Sequence, residues 1–204
     1  MKPIFGAPTE RLLTLTLILS PAVTLISSVL YVLNGWDDGT AAAFHIVGGI
    51  LGIPVVVRLT AYLDRVPGLA AAAFAVGVAG CGGVIGYGFN TLGVSLGGVD
   101  LIDATGPAAI LKPLGLCWPL ALVLFGIALW RAGRIRTAFG AGLVLAGPVF
   151  GVSRIANVGW LAIAVDLGLL VCLAALTTVP RAPAESASAA PDRSAAGPAR
   201  IPNS

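Results

Sequence analysis

Residues 12–33 read LLTLTLILSPAVTLISSVLYVL, a run of 22 residues that contains no charged side chain. The hydrocarbon core of a bilayer takes about 20 residues of α-helix, so this stretch predicts a membrane-spanning helix. The run is longer than the apolar region of a secretory signal, and no small-residue cleavage site closely follows it. We therefore expect a helix that is retained in the membrane.

Five further segments have the same character, and their apolar runs are continuous rather than alternating as in a membrane β-barrel. They cover 41–63, about 67–89, 113–130, 137–155 and 158–179. Since a span in lipid must satisfy its own backbone hydrogen bonds, the sequence predicts an all-α polytopic membrane protein. We expect a cytoplasmic N-terminus over 1–11, a six-transmembrane-helix bundle over 12–179, and a disordered cytoplasmic tail rich in Pro, Ala and Ser over 180–204.

The overall composition agrees with a chain that lies in lipid. The sequence is 57% hydrophobic and 10% charged, whereas soluble domains carry about 25% charged residues. The formal net charge of +3 is not gathered into a basic stripe with aromatic residues, which argues against nucleic-acid binding. The cysteines lack metal-type spacing and His45 is the single histidine, so no metal site and no cofactor is predicted. The bilayer is the expected partner, with an unknown membrane protein as a further one.

The basic residues predict the orientation, because Lys and Arg are enriched on the cytoplasmic side of a membrane. With the N-terminus inside, the outside set is Lys112 and Arg154. The other ten basic residues fall inside: Lys2, Arg11, Arg58, Arg65, Arg131, Arg134, Arg136, Arg181, Arg193 and Arg200. Both termini are therefore expected in the cytoplasm. Arg58, one turn from Tyr62, is expected to extend its long stem to the lipid headgroups.

Small residues predict where the helices approach closely. The third span repeats a small residue at every fourth position, at Ala71, Ala75, Ala79 and Gly83. A helix with so little bulk is expected to be central and to contact several neighbours.

Two motifs suggest chemistry without specifying it. Gly93-Val94-Ser95-Leu96-Gly97 matches the G-x-S-x-G pattern of serine hydrolases, but that motif requires a turn between a strand and a helix. Here it falls in the loop expected between Asn90 and Lys112, and His45 would have to act as the base. In the same loop Asp100 and Asp103 suggest either a solvated acidic surface or a loose cation site.

The fifth and sixth spans contain the most informative polar residues, Arg154 and Asp166. Ionisable groups within a membrane usually face the bundle interior and pair with each other. The two spans are expected to be antiparallel neighbours, and helical side chains lean toward their own N-terminus, so these two lean toward each other. We predict a salt bridge or a water-mediated contact, with His45 and Asn157 as neighbours. It is either a latch that fixes one helical hairpin or part of a pocket for a proton or polar ligand.

The stretch from Val99 to Trp160 contains GP before an apolar span, LWRAG at the end of that span, and an Arg after the next span. In these features it resembles uncharacterised small multi-pass integral membrane proteins of high-GC actinobacteria, which carry no assigned function. The resemblance implies a bacterial inner (plasma) membrane protein and no activity. We expect a helper or structural membrane component. The alternatives are a small transporter or channel-like protein with an outward-facing polar pocket and, with less support, an intramembrane hydrolase.

Overall fold

The computed structural model describes residues 6–178, which form six α-helices and no strand. The helices are α1 (Ala7–Asn34), α2 (Gly39–Thr60), α3 (Pro67–Ser95), α4 (Leu111–Arg131), α5 (Thr137–Ile155) and α6 (Gly159–Leu176), and a short 3-10 helix (Gly106–Ile110) leads into α4. All six are long and apolar enough to cross a membrane. The predicted six-helix membrane fold is confirmed. The predicted tail, 180–204, lies outside the described residues.

The helices run alternately up and down, and each packs mainly against its neighbours in the chain, with α6 against α1 to close the ring. This arrangement gives the bundle two ends. One end, called the cavity end because a cavity opens there, holds the connections 35–38, 96–110 and 156–158. The other, called the basic end because Arg65, Arg134 and Arg136 lie in its connections, holds 61–66 and 132–136 together with the start of α1 and the end of α6. Successive short connections enforce this order, because they leave each helix beside the one before it.

The prediction that α3 is central is wrong. In the ring α3 packs against α2 and α4, and Ala71 and Ala75 of the predicted small-residue stripe are exposed. The buried face instead contains Ala73, Gly77 and Gly80. These positions follow the mixed three- and four-residue spacing of one helix face. Residues spaced strictly by four drift around the helix and no longer share that face after a few turns.

Close approach of α3 and α4 depends on the absence of side chains at two positions of α3. A Cβ atom added at Gly83 would lie 2.3 Å from the backbone of Leu114, and one added at Gly80 would lie 2.5 Å from the backbone nitrogen of Trp118. Backbone cannot move aside as a side chain can, so these two glycines fix how tightly the helices pack.

Apolar side chains fill the basic half of the bundle. Fully buried members of this core include Leu17, Val56, Phe125, Leu129 and Leu143, from four different helices. Interiors of this kind are close-packed and leave few voids larger than a water molecule. The basic half is therefore closed, and any space for a solute lies toward the cavity end.

Polar contacts tie the basic end together. Arg58 Nη1 lies 2.8 Å from Glu10 Oε2 and its guanidinium stacks 4.9 Å from the Tyr62 ring centre. Arg58 is 7% exposed, so the expectation that it extends to the lipid headgroups is wrong, because the carboxylate on α1 holds it inside the protein. Arg134 Nη2 donates to Asp64 Oδ1 at 2.7 Å, and this hydrogen bond lowers the pKa of Asp64 below its ordinary value.

Candidate functional site

A cavity of about 590 Å³ opens between α2, α3, α4 and α5 at the cavity end. Its lining combines aromatic rings with polar groups, among them Trp36, His45, Tyr87, Asn90, Lys112 and Arg154. A cavity of this size, apolar with a few convergent polar groups, is typical of small-molecule sites. Since the basic half is filled by the apolar core, the cavity reaches only part of the way through the bundle.

Arg154 and Asp166 meet at the wall of this cavity. Arg154 Nη2 lies 3.1 Å from Asp166 Oδ2, and the two side chains are 10% and 1% exposed. Arg154 lies in the last turn of α5 and Asp166 about two turns into α6, and each side chain leans toward the N-terminus of its helix. The salt bridge predicted from the sequence is present. Arg154 lines the cavity, and Asp166 lies behind it.

Ser28 of α1, which no sequence pattern placed at the site, completes the cluster. The Ser28 hydroxyl accepts a hydrogen bond from Arg154 Nη2 at 2.7 Å and donates one to Asp166 Oδ2. Ser28 is fully buried, so the three side chains form a polar network among α1, α5 and α6. The sequence offers one indication, the polar Ser27-Ser28 pair within the apolar first span. No feature of the neighbouring sequence predicts that Ser28 contacts residues more than a hundred positions away.

The network leaves hydrogen-bonding capacity unused. Within residues 6–178, Arg154 Nε, Arg154 Nη1 and Asp166 Oδ1 are buried and have no hydrogen-bond partner. The Arg154 guanidinium lies 5.2 Å from the Phe150 ring centre and 5.8 Å from that of Trp36. Aromatic faces attract a cation, and they confine the guanidinium without accepting its N–H groups in the way an oxygen would.

His45 lies in an aromatic setting on α2. Its ring packs edge-on against Tyr31 at 6.1 Å and against Tyr87 at 5.7 Å between ring centres, and its Nδ1 has no hydrogen-bond partner among the described residues. The histidine lines the cavity, as a candidate ligand or proton group there should.

Asn157 forms the turn that makes α5 and α6 neighbours. Its φ of 54° lies in the left-handed region, which Asn tolerates better than most residues. The Val158 N–H donates to the Ser153 carbonyl at 2.9 Å, closing the helix end in a Schellman arrangement. Asn157 also lines the cavity, so of the four predicted site residues three line it directly and Asp166 reaches it through Arg154.

The connection at the mouth of the cavity is shorter than predicted. Helix α3 continues through Asn90 to Ser95, so the loop starts six residues later than expected. Asn90 is buried, donates to Asp100 Oδ1 at 2.9 Å and accepts from the Leu101 N–H at 2.7 Å. Asp103 pairs with Lys112 at 3.0 Å. Each carboxylate of the suggested cation site is thus bonded to a different protein group.

The G-x-S-x-G motif does not assemble a nucleophile. Ser95 lies in the last turn of α3, and its hydroxyl donates to the Leu92 carbonyl at 2.7 Å. In the part of the chain that the structure describes, no hydrogen bond joins Ser95 to His45, whose contacts are with Tyr31 and Tyr87. The motif belongs to a helix end and lacks the strained strand-to-helix turn that exposes a catalytic serine.

No protein-family model, curated protein or solved structure matches this chain.

Proposed function

We propose that the protein binds a small polar solute in the cavity and acts as a small transporter or channel-like membrane protein. The observation that carries this proposal is the cavity of about 590 Å³ into which the buried Arg154 projects. Placing an arginine inside a membrane domain is costly, and such residues typically mark the pathway of a substrate or ion.

The difference between the two halves of the bundle also supports a transporter or channel-like protein. The cavity lies at one end, and the apolar core, with Leu17, Val56 and Phe125, closes the other. A transporter needs a site that is reached from one side while the other side is sealed. The cavity at one end and the filled core at the other support this requirement.

A structural or helper role is the second candidate, and the Ser28–Arg154–Asp166 network favours it. These buried groups bond to one another across three helices, as a latch would require. A latch alone gives no reason for a cavity beside it. Under the helper role, an unknown membrane protein partner stays a prediction.

The proposed location is a bacterial inner (plasma) membrane with both termini in the cytoplasm, so that the cavity end faces outward. The support is the ten-to-two distribution of basic residues, which follows the positive-inside rule. A reporter active only in the cytoplasm should work when fused at Ser204 and fail when inserted at Gly39. Activity at Gly39 would overturn this orientation.

Ligand binding tests the proposed function through a variant that fills the cavity. Gly115 lines the cavity and a Cβ there meets nothing within 4 Å, whereas Gly82 has equally free space on the exposed face of α3. Purified protein is screened for thermal stabilisation by amino acids, monocarboxylates, sugars and polyamines, since a ligand that binds the folded state stabilises it.

We expect at least one of these solutes to stabilise the wild type and Gly82→Leu but not Gly115→Leu. Uptake of that solute into proteoliposomes then separates a transporter from a binding protein. If no solute stabilises the wild type, or if Gly115→Leu keeps the effect, the cavity is not a solute site and the structural role is favoured.

A further inference from the structure

The unpartnered nitrogens of Arg154 indicate what chemical class of solute the cavity takes, an inference that rests on the proposed function. Nη2 is occupied by Ser28 and Asp166, while Nε and Nη1 have no partner within residues 6–178. These are three N–H bonds on a planar cation that is nine-tenths buried at the cavity wall. The groups that match such donors best are carboxylate and phosphate oxygens.

The aromatic side chains around Arg154 suit a ligand with an apolar body. Phe150 and Trp36 stack on the guanidinium, and Tyr87 lines the cavity beside them. A flat apolar group next to the oxyanion would bury its surface against these rings. A benzoate-like anion therefore fits the lining better than a small inorganic anion does.

Charge balance adds a second requirement. The buried network holds one cation, Arg154, and one anion, Asp166, and is neutral when both are ionised. A second anion on Arg154 would leave an uncompensated negative charge at the edge of a membrane domain, where desolvation is costly. Protonation of Asp166 would remove that charge and free Arg154 for the ligand, and Ser28 would still bond to the carboxyl group.

We propose that the cavity binds the carboxylate or phosphate group of a small anion on Arg154, and that Asp166 takes up one proton from solution when the anion binds. The proton comes from water through the cavity and is released when the anion leaves. The protein would thus couple one anion to one proton.

Other ionisable groups face this network and define the competing explanations. Arg154 interacts electrostatically with Tyr31 on α1, His45 on α2 and Tyr87 on α3. At the mouth lie Asp37, Asp100, Asp103 and Lys112. Of the groups at the network, His45 is the alternative proton acceptor, because it lines the cavity and its Nδ1 has no partner in the described residues.

The test uses benzoate as the probe and benzamide as its neutral control, with the full chain in nanodiscs of zwitterionic lipid. Calorimetry in buffers of different ionisation enthalpy measures the protons taken up per benzoate bound. We expect about one, so the apparent affinity should fall about tenfold for each pH unit of increase in the range where free Asp166 is ionised. Benzamide should not bind comparably.

Variants test Arg154 as the anion-binding group and Asp166 as the proton acceptor. Arg154→Gln should abolish benzoate binding, and Asp166→Asn should retain binding with no proton uptake and a flat pH profile, because Asn mimics the protonated acid. His45→Gln should keep the uptake of about one proton and tests the competing acceptor without altering the Arg154 network. If Asp166→Asn fails to fold, the wild-type proton count and the His45→Gln result still decide the proposal.

The source of the oxyanion is resolved by a second set of nanodiscs that contain phosphatidylglycerol. Competition with benzoate identifies a lipid phosphate as the ligand, and absence of competition identifies a soluble anion. The proposal is overturned if neither binds through Arg154, if benzoate binds without proton uptake, or if Asp166→Asn still takes up a proton. If a sugar or a polyamine binds in a Gly115→Leu-sensitive way while benzoate does not, the solute-binding function stands and the anion inference falls.

Discussion

Arg154 at the end of α5 and Asp166, about two turns into α6, form an ion pair of 3.1 Å that lies between the cavity and the α1–α6 contact. One side of the pair borders the cavity, and the other is anchored by Ser28. The same residues therefore both hold three helices together and place the Arg154 side chain at the cavity wall.

Removing one partner of this pair should be strongly destabilising. We expect Arg154→Gln and Asp166→Asn each to lower the free energy of unfolding by about 3–5 kcal/mol, since each leaves a buried charge without its counterion. The double variant should lose less than the sum of the two. Thermal or denaturant unfolding in detergent provides the measurement.

The exposed pair Lys112–Asp103 is a matched control for that cycle, because its side chains are 56% and 85% exposed. Its single variants, Lys112→Gln and Asp103→Asn, should change stability by no more than about 1 kcal/mol. Strictly additive losses at Arg154 and Asp166 would contradict coupling in the buried pair.

The Ser28 hydroxyl should contribute more to the free energy of unfolding than that of its neighbour Ser27, although both residues are fully buried. Ser27 donates to the Ala41 carbonyl at 2.8 Å, a neutral hydrogen bond of about 1 kcal/mol, whereas Ser28 bonds to two charged groups, which is worth about 1.5–3 kcal/mol. We expect Ser28→Ala to cost more than Ser27→Ala in unfolding experiments. The excess should shrink in an Asp166→Asn background, and an equal cost in both backgrounds would contradict the network.

Gly83 and Gly82 are adjacent on α3 and should respond oppositely to a methyl group. At Gly83 a Cβ would lie 2.3 Å from the Leu114 backbone, whereas at Gly82 it meets nothing within 4 Å. Gly83→Ala should force α3 and α4 apart and destabilise the protein. Gly82→Ala should be neutral or stabilising by up to about 1 kcal/mol through helix propensity. Comparable unfolding midpoints for the two variants would contradict the α3–α4 contact.

The Asp64–Arg134 contact should contribute little to the stability of the folded state, and only above acidic pH. The hydrogen bond from Arg134 lowers the pKa of Asp64 from its ordinary value of 3.8, so the carboxylate stabilises the folded state at neutral pH. That contribution is lost as pH falls through the lowered pKa. Because the Asp64 side chain is 58% exposed, we expect Asp64→Asn to cost no more than about 1 kcal/mol at neutral pH. An effect of Asp64→Asn that grows as the pH falls would contradict this assignment.

The six helices could be predicted because each is one contiguous apolar run, long enough to be recognised as a membrane span without knowledge of the rest of the chain. Arg154 and Asp166 were paired correctly because a single tight turn at Asn157 fixes their geometry. Ser28, by contrast, reaches the site only through the closure of α1 on α6. The burial of Arg58 likewise depends on Glu10, a carboxylate on another helix. Both involve the packing between helices, which small-residue spacing alone does not determine, as the exposed Ala71 and Ala75 demonstrate.

Thiol accessibility tests most directly the claim that the cavity is open to solutes. Thr91 is 5% exposed and lines the cavity, whereas Thr16 is 1% exposed and lies away from it in the basic half of α1. Each is changed to Cys in a background where Cys81, Cys117 and Cys172 are replaced by Ala, and intact cells are treated with a small membrane-impermeant thiol reagent. We expect Thr91→Cys to react from outside, Gly115→Leu to slow that reaction, and Thr16→Cys to stay unmodified. The same reagent applied to opened membranes reaches both sides, and equal protection of the two cysteines there as well as in intact cells would contradict a solute-accessible cavity.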